Sequence, residues 1–428
     1  MSPAIKCLVI LGICAVCFVT EIIPLAVTAM GGAVAVGFAG LVPMKSVFTG
    51  LSNSTVVLFA GMFVISAAMF QTGLAQLIGE KVVKSVGSGE NSLMFGAMLM
   101  GGVMSSVSSN SGTCAALMPV IAGICSAAKI SPARQMMPMA FACGLGGIIT
   151  LVGTPPNIIC SGALEKAGFT GFGFFEFAWI GVPLTIAGII YMMTIGKRLL
   201  PDGNGGEIEV DEETAKEAKA SNASPRNQMI CAAVLIAVIC CMAFSKQIGI
   251  PLQHAAVTGA LILVITKTVT DKQAYMGIDW TTIFLFAGMM TVAGAMDKSG
   301  AGKMIADMVV GMMGGSPSPL MVTGMLFILG CGLTQFMSNT ASSALLAPIG
   351  ISIAQGIGAD PHAVLMAIAV ANSCAFATPV GTPPNTLVIS AGGYKFMDYV
   401  KAGIPLIVIC FALCMVIIPI VWPFFPGK

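Results

Sequence analysis

Two strings stand out for the chemistry they could do: "SSVSSNSGT" at Ser105–Thr113 and "TQFMSNTAS" at Thr334–Ser342. Each gathers hydroxyls and one Asn amide inside a run without Asp, Glu, Lys, Arg or His, spanning 91–128 and 308–359. A second pair, "GTPPN", begins at Gly153 and again at Gly381, inside the equally uncharged runs 135–164 and 363–394. Tandem prolines remove backbone donors and break a helix in two. Hydroxyls, Asn carbonyls and backbone carbonyls released at half-helix ends suit a weakly held hard cation such as sodium. Hydroxyl and amide donors, with the N–H groups at half-helix N-termini, suit an anion. No basic side chain is present to neutralise that anion, so bound cations must balance it. Two equivalent motifs suggest two cation sites, and two monovalent cations match a divalent anion. Proton coupling finds no titratable group in these runs. Interhelical hydrogen bonding and a kink would explain any one motif alone. Four broken elements in matched pairs point instead to a binding site.

Such residues need elements that hold them at membrane depth. The 428-residue chain is 57% hydrophobic and 9% charged, with a mean hydropathy of +0.95. Soluble domains carry about 25% charged residues, so this is an integral membrane protein whose partner is the lipid bilayer. A net charge of +2 gives no reason to invoke nucleic acid. The 14 cysteines lie mostly in apolar runs, where Cys packs as a small hydrophobe, and the one C-x-x-C, Cys14 and Cys17, has no second pair.

Matching strings recur in one order. "FAGM" stands at Phe59 and Phe286, Ser-Asn at Ser109 and Ser338, and "GTPPN" at Gly153 and Gly381. "FFEFAWIGVPL" at Phe174 is echoed by "FMDYVKAGIPL" at Phe396. The offsets are 227, 229, 228 and 222, so the chain is a duplicated unit. The apolar run after Lys6 is then the first span of repeat one and not a cleaved signal.

Spans chosen by length fall at 5–20, 25–42, 55–75, 136–163 and 177–195, then at 229–244, 252–266, 281–296, 363–391 and 404–422. Five crossings per unit place the second unit upside down relative to the first. The remaining runs, Ser92–Ala127 and Leu320–Gly356, read as re-entrant hairpins. Their arms of about 13 residues give roughly 20 Å of helix, too short for a ~30 Å hydrocarbon core. The fold class expected is an all-α polytopic membrane protein. It has two inverted repeats of five transmembrane helices, each with a re-entrant helical hairpin and a broken helix. Repeat one is 1–198 and repeat two 227–428, joined by a polar linker at 199–226. On this layout 13 of the 20 Lys and Arg share the linker's face and seven lie opposite. The linker is then cytoplasmic, both termini are outside, and a bacterial inner membrane fits. Glu176 and Asp398 hold equivalent places just before a span and read as capping residues, while His254 and His362 read as structural.

Ser109-Asn110-Ser111 and Ser338-Asn339-Thr340, each followed by a G-T-P-P-N break, resemble the divalent anion:sodium symporter family over nearly the whole chain. The resemblance implies a homodimer that works as an elevator. A scaffold of 1–90 and 227–315 would stay fixed while a transport part of 91–198 and 316–428 slides. It implies sodium, in two or more copies, as the coupling ion. Site one maps onto Ser105, Ser109, Asn110 and Gly153, and site two onto Thr334, Met337 by its backbone, Asn339 and Gly381. Substrate carboxylates would meet Ser109, Asn110, Ser111, Ser338, Asn339, Thr340 and Thr382. Two departures are visible. Ser111 stands where the family usually has Thr, and the family's extra N-terminal span has no counterpart.

The reading is sodium-coupled symport of a divalent anion, foremost C4-dicarboxylates such as succinate, malate and fumarate. Sulfate or citrate symport, or sodium-independent dicarboxylate exchange, are the alternatives within the family. An exchanger should replace the cations with a basic residue near the tips, and none is present. A passive channel fits broken helices at the midplane less well than alternating access does. An intramembrane hydrolase using Ser109 or Ser338 would need a base, and neither His lies in these runs. No enzymatic activity is expected.

Overall fold

The computed structural model describes residues 1–86, 89–201, 224–313 and 317–426, and these are helical with no strand among them. Most of the linker expected at 199–226, and the boundary expected at 315, fall outside the described residues. Helices of ten residues or more form two series in the same order. The first is α1 (Pro3–Thr20), α2 (Leu25–Phe38), α3 (Ser54–Gln71), α4 (Leu74–Val86), α5 (Glu90–Ser105), α6 (Asn110–Ala128), α7 (Met136–Gly147), α8 (Pro155–Lys166) and α9 (Ala178–Thr194). The second is α10 (Pro225–Ala243), α11 (Leu252–Ile265), α12 (Trp280–Ser299), α13 (Ala301–Met312), α14 (Pro319–Thr334), α15 (Asn339–Gly356), α16 (Pro361–Ser373), α17 (Pro383–Gly392) and α18 (Phe396–Val421). Among the described residues six helical stretches are long and apolar enough to cross a membrane, alongside shorter apolar helices such as α2 and α11. Exposed Trp179, Val182, Ile186 and Ile190 run down one side of α9, as a lipid-facing stripe should.

The two series interlock through equivalent crossings of small residues. A Cβ on Gly61 of α3 would lie 2.8 Å from Ala256 of α11, and one on Gly288 of α12 would lie 2.6 Å from Ala29 of α2. Gly61 and Gly288 are paired by the same offset as Phe59 and Phe286, and so are Ala29 and Ala256. Between membrane helices, where apolar burial drives nothing, this close backbone approach supplies the packing.

The strings at Ser105 and Thr334 do form hairpin tips. Arg134, just past α6, meets Glu90 at the start of α5 with Nη1 to Oε1 at 3.1 Å, so both arms return to one end. That base lies by the N-terminus of α18, where the Tyr394 hydroxyl donates to the Ala133 carbonyl at 2.6 Å. The second hairpin has its base at the other end of α18, where Asp360, just past α15, donates its N–H to the Phe424 carbonyl at 2.8 Å. The hairpins therefore enter from opposite ends of the same helix. Their arms are longer than expected, at 16 and 19 residues in the first and 16 and 18 in the second. Pro119 and Pro348 are absorbed inside α6 and α15 and do not end them. A helix α4 or α13 was not expected either. In α13, buried Ala301, Gly302 and Ala306 form one face, while Lys303 and Asp307 are exposed.

Candidate substrate and cation site

Both GTPPN motifs open their spans as the prolines require. Pro155-Pro156 and Pro383-Pro384 start α8 and α17 at the positions where proline's fixed φ suits a helix. The unwound segments before them are braced by the motif asparagines. Asn157 Nδ2 donates to the Gly147 and Thr150 carbonyls at 3.2 and 2.8 Å. Asn385 Nδ2 donates to the Ala375 and Thr378 carbonyls at 2.8 and 2.9 Å. Ser109 and Ser338 cap α6 and α15, accepting the N–H of Gly112 at 3.0 Å and of Ala341 at 3.1 Å.

Four helix N-termini, those of α6, α8, α15 and α17, thereby converge on one cavity of about 890 Å³. It is lined by Ser109, Asn110, Ser111, Gly153, Met337, Ser338, Asn339, Thr340, Gly381 and Thr382, ten of the twelve residues expected in the site. The other two, Ser105 and Thr334, are fully buried directly behind them. Ser105 Oγ is 2.5 Å from Asn110 Oδ1, and Thr334 Oγ1 is 2.6 Å from Asn339 Oδ1. The cavity extends to Glu21 at the end of α1 and Asp279 at the start of α12. Glu165 and Lys166 are not in its lining.

Two backbone carbonyls join these clusters, and no residue type in the sequence pointed to either. The amide head of Asn110 can be turned so that its nitrogen reaches the Ser105 hydroxyl at 2.5 Å and the Gly153 and Cys143 carbonyls at 3.2 Å. Three neutral oxygens from three segments thus surround the Asn110 amide head. In the second cluster Thr334 Oγ1 also meets the Asn372 carbonyl at 2.9 Å. Asn372 stands at the same offset from Cys143 as Ser338 does from Ser109. Uncharged oxygens at this density suit a monovalent hard cation. Among the described residues no group of three or more His, Cys, Asp or Glu could hold a metal ion. Ser66 and Phe70 of α3 were also missed. Ser66 Oγ accepts the Ser109 N–H at 3.2 Å, and both line the cavity. A lone hydroxyl in an apolar helix carries no signal in one sequence.

The residues read as structural behave so. Glu176 accepts the Gly173 N–H at 2.7 Å and Asp398 the Lys395 N–H at 2.8 Å, each closing the turn before its helix. Cys14 is buried, and the described cysteines are free thiols.

A family model described as a citrate transporter matches residues 15–371 and 241–426. The chain belongs to that family. It is similar to the uncharacterized transporter YfbS of Escherichia coli, at 25% identity over 97% of this chain and 98% of that one. It is 29% identical to an uncharacterized transporter of Haemophilus influenzae, over 94% and 88% of the two chains. It is also similar to the sodium-dependent dicarboxylate transporter SdcS of Staphylococcus saprophyticus, at 23% identity over 90% and 80%. Among solved structures, the Alcanivorax borkumensis YdaH transporter aligns with a TM-score of 0.58 at 15% identity, covering 89% and 88% of the two chains. Neisseria gonorrhoeae MtrF aligns with a TM-score of 0.63 at 13%, covering 90% and 86%, so the likeness to both is one of fold. The chain is a membrane transporter of the divalent anion:sodium symporter type and not an enzyme.

Proposed function

We propose that this transporter couples inward movement of a C4-dicarboxylate, such as succinate, malate or fumarate, to sodium. The observation that carries the reading is the shared cavity, where four half-helix N-termini meet two clusters of neutral oxygens. The N-termini and the hydroxyls of Ser111, Thr340 and Thr382 receive carboxylates, while the oxygen clusters behind each Asn receive sodium. Asn110 and Asn339 join the two jobs, because a primary amide offers an acceptor to a cation and donors to an anion. Each bound sodium then adds positive charge beside the anion in a low-dielectric setting, where such attraction is strong. Substrate and sodium favour each other's binding by the same factor. The sodium-dependent dicarboxylate relative at 23% identity supports this choice of substrate and ion.

Alternating access follows from an inverted repeat. Hairpins entering from opposite ends of α18 support the inversion. The crossings of α2 with α12 and α3 with α11 support a scaffold of 1–90 and 227–315. The part that moves is then 91–198 with 316–428. With the linker side cytoplasmic, a cavity reaching Glu21 and Asp279 describes an inward-open state. A homodimer in the bacterial inner membrane, with both termini outside, completes the proposal.

Citrate is the second reading, favoured by the description of the family model. Uptake of labelled succinate, malate, fumarate, citrate and sulfate into proteoliposomes, with and without an inward sodium gradient, tests both. Succinate uptake that needs sodium is expected. Uptake of citrate alone would select the second reading, and gradient-independent exchange would reject sodium coupling.

A further inference from the structure

A second cleft, of about 480 Å³, lies away from the transport cavity and is lined by Glu90, Asn91 and Ser92 at the start of α5, by Arg134, and by Lys197 and Arg198 just past α9. Three cationic side chains and one carboxylate line it, a formal surplus of two positive charges. Two contacts fix its shape: Arg134 holds Glu90 at 3.1 Å, and Lys197 Nζ donates to Asn91 Oδ1 at 3.0 Å. Arg198, exposed, adds its guanidinium to the rim. The N-terminus of α5 adds polarity of the same sign. Its cap is Gly89, which has no side chain to accept the first N–H groups, and helix N-termini attract phosphate.

The position of the cleft selects the ligand. Lys197 and Arg198 lie just past α9, whose exposed stripe of Trp179, Val182, Ile186 and Ile190 runs toward them. An apolar face made for acyl chains therefore ends where the cations begin. A free anion would use only the cations, whereas a phospholipid uses both surfaces. We propose that this cleft binds the phosphate of an anionic phospholipid whose chains lie along α9. The inference stands apart from the choice of transported substrate.

The test is native mass spectrometry of the purified full chain in micelles doped with either phosphatidylglycerol or phosphatidylcholine. The wild-type chain should retain phosphatidylglycerol selectively. Arg198→Gln should weaken retention about fivefold, and Arg198→Gln with Lys197→Gln about 25-fold, given the usual worth of one juxtamembrane cation. Lys267→Gln with Lys272→Gln, exposed residues away from the cleft, should change nothing. Equal retention of both lipids overturns the proposal, as does an equal loss in the Lys267 and Lys272 control. Full displacement of the lipid by millimolar inorganic phosphate would make the cleft a soluble-anion site and overturn it too. Among the described residues the Arg198 side chain makes no hydrogen bond or ion pair, and an unchanged melting temperature confirms that each variant is intact.

Discussion

The two hairpin tips carry equivalent residues but are held in different ways. Tip two is tied to its own break. Gln335 Nε2 donates to the Cys331 and Cys374 carbonyls at 2.9 and 3.0 Å, and its Oε1 accepts the Ala377 N–H at 2.9 Å. The Asn372 side chain accepts from Ser342 at 2.7 Å and donates to Ser343 at 2.9 Å. Tip one has Ser106 in place of Gln335 and Cys143 in place of Asn372, each pair set by the offset between Ser109 and Ser338. Among the described residues Ser106 Oγ donates within its own helix, to the Val103 carbonyl at 2.7 Å. Tip one is tied to its break through the Thr150 hydroxyl, which donates to the Ser106 carbonyl, and it leans in addition on α3, through Ser66 and through Gly112, where a Cβ would lie 2.3 Å from the Phe70 ring. Cluster two is therefore preformed within one hairpin and its break. Cluster one is likewise built from its own hairpin and break, but its tip is also held by a neighbour that belongs, on the proposed mechanism, to the part that stays fixed. Movement of the hairpins past α3 should change cluster one and spare cluster two.

Asn110→Asp and Asn339→Asp should have the largest effect, and it should be shared. Each variant keeps the acceptor for sodium, removes the donors, and places a negative charge beside a dianion. Like charges in contact cost several kcal/mol, so dicarboxylate transport should fall roughly 100-fold or more at either position. Sodium binding should survive in the Asp variants. Asn→Ala should lose both ligands, because their affinities are linked. Isothermal titration of substrate across sodium concentrations separates the cases. Normal sodium-dependent transport by either Asp variant would show that the tips do not form a shared site.

Thr382→Ala comes next. Thr382 precedes Pro383 on the cavity wall and offers a hydroxyl where a carboxylate should sit. Loss of one hydrogen bond to a charged group costs about 1.5–3 kcal/mol, so substrate affinity should drop by roughly 10- to 100-fold with sodium affinity less affected. Equal losses would show that anion and cation do not divide these residues as proposed.

Gly147→Ala separates the two tips. A Cβ there would lie 2.4 Å from the Asn110 amide. The equivalent place in the second half, by the offset between Gly153 and Gly381, already holds Ala375. Overpacking costs about 1–3 kcal/mol, and here it falls on cluster one. The steepness of the sodium dependence should fall as one ion is lost, with sodium affinity at the other cluster retained. Ala375→Gly should leave both nearly unchanged. A full loss of sodium binding in Gly147→Ala would mean that the clusters do not act as separate sites.

The tips and breaks were legible in the sequence because hydroxyls, Asn and tandem Pro are conspicuous in runs without charge. Their pairing was readable because Asn110 and Asn339, and Gly153 and Gly381, recur at nearly one offset. Other parts had no side chain to announce them. The Cys143 and Asn372 carbonyls are backbone groups, so residue type says nothing about them, and only the folded α7 and α16 bring them to the clusters. The helix α13 was lost because Lys303 and Asp307 interrupt its apolar residues over only 12 positions. A scan for helical periodicity would have found it where a scan for length did not. The hairpin arms were cut short because polar tips were read as loop, whereas Asn110 and Asn339 each open a helix. The stop at the tip is made by the serine caps before them.

Ser66→Ala should have the smallest effect and is the most direct test of the contrast between the tips. It removes one neutral hydrogen bond, from the Ser109 N–H, worth about 1 kcal/mol. The fold should hold, since Ser66 makes no other hydrogen bond among the described contacts. If the tip that carries cluster one is steadied by α3, sodium affinity measured with the protein held inward-open should weaken by about fivefold, and the steepness of the sodium dependence should stay the same. In the opposite state the hairpin has moved away from α3, and Ser66→Ala should then change nothing. Cross-linking the protein in each state before titration gives the two measurements. An equal loss in both states would mean that Ser66 travels with the tip, and the boundary between the fixed and moving parts would have to be redrawn to place α3 with the hairpins.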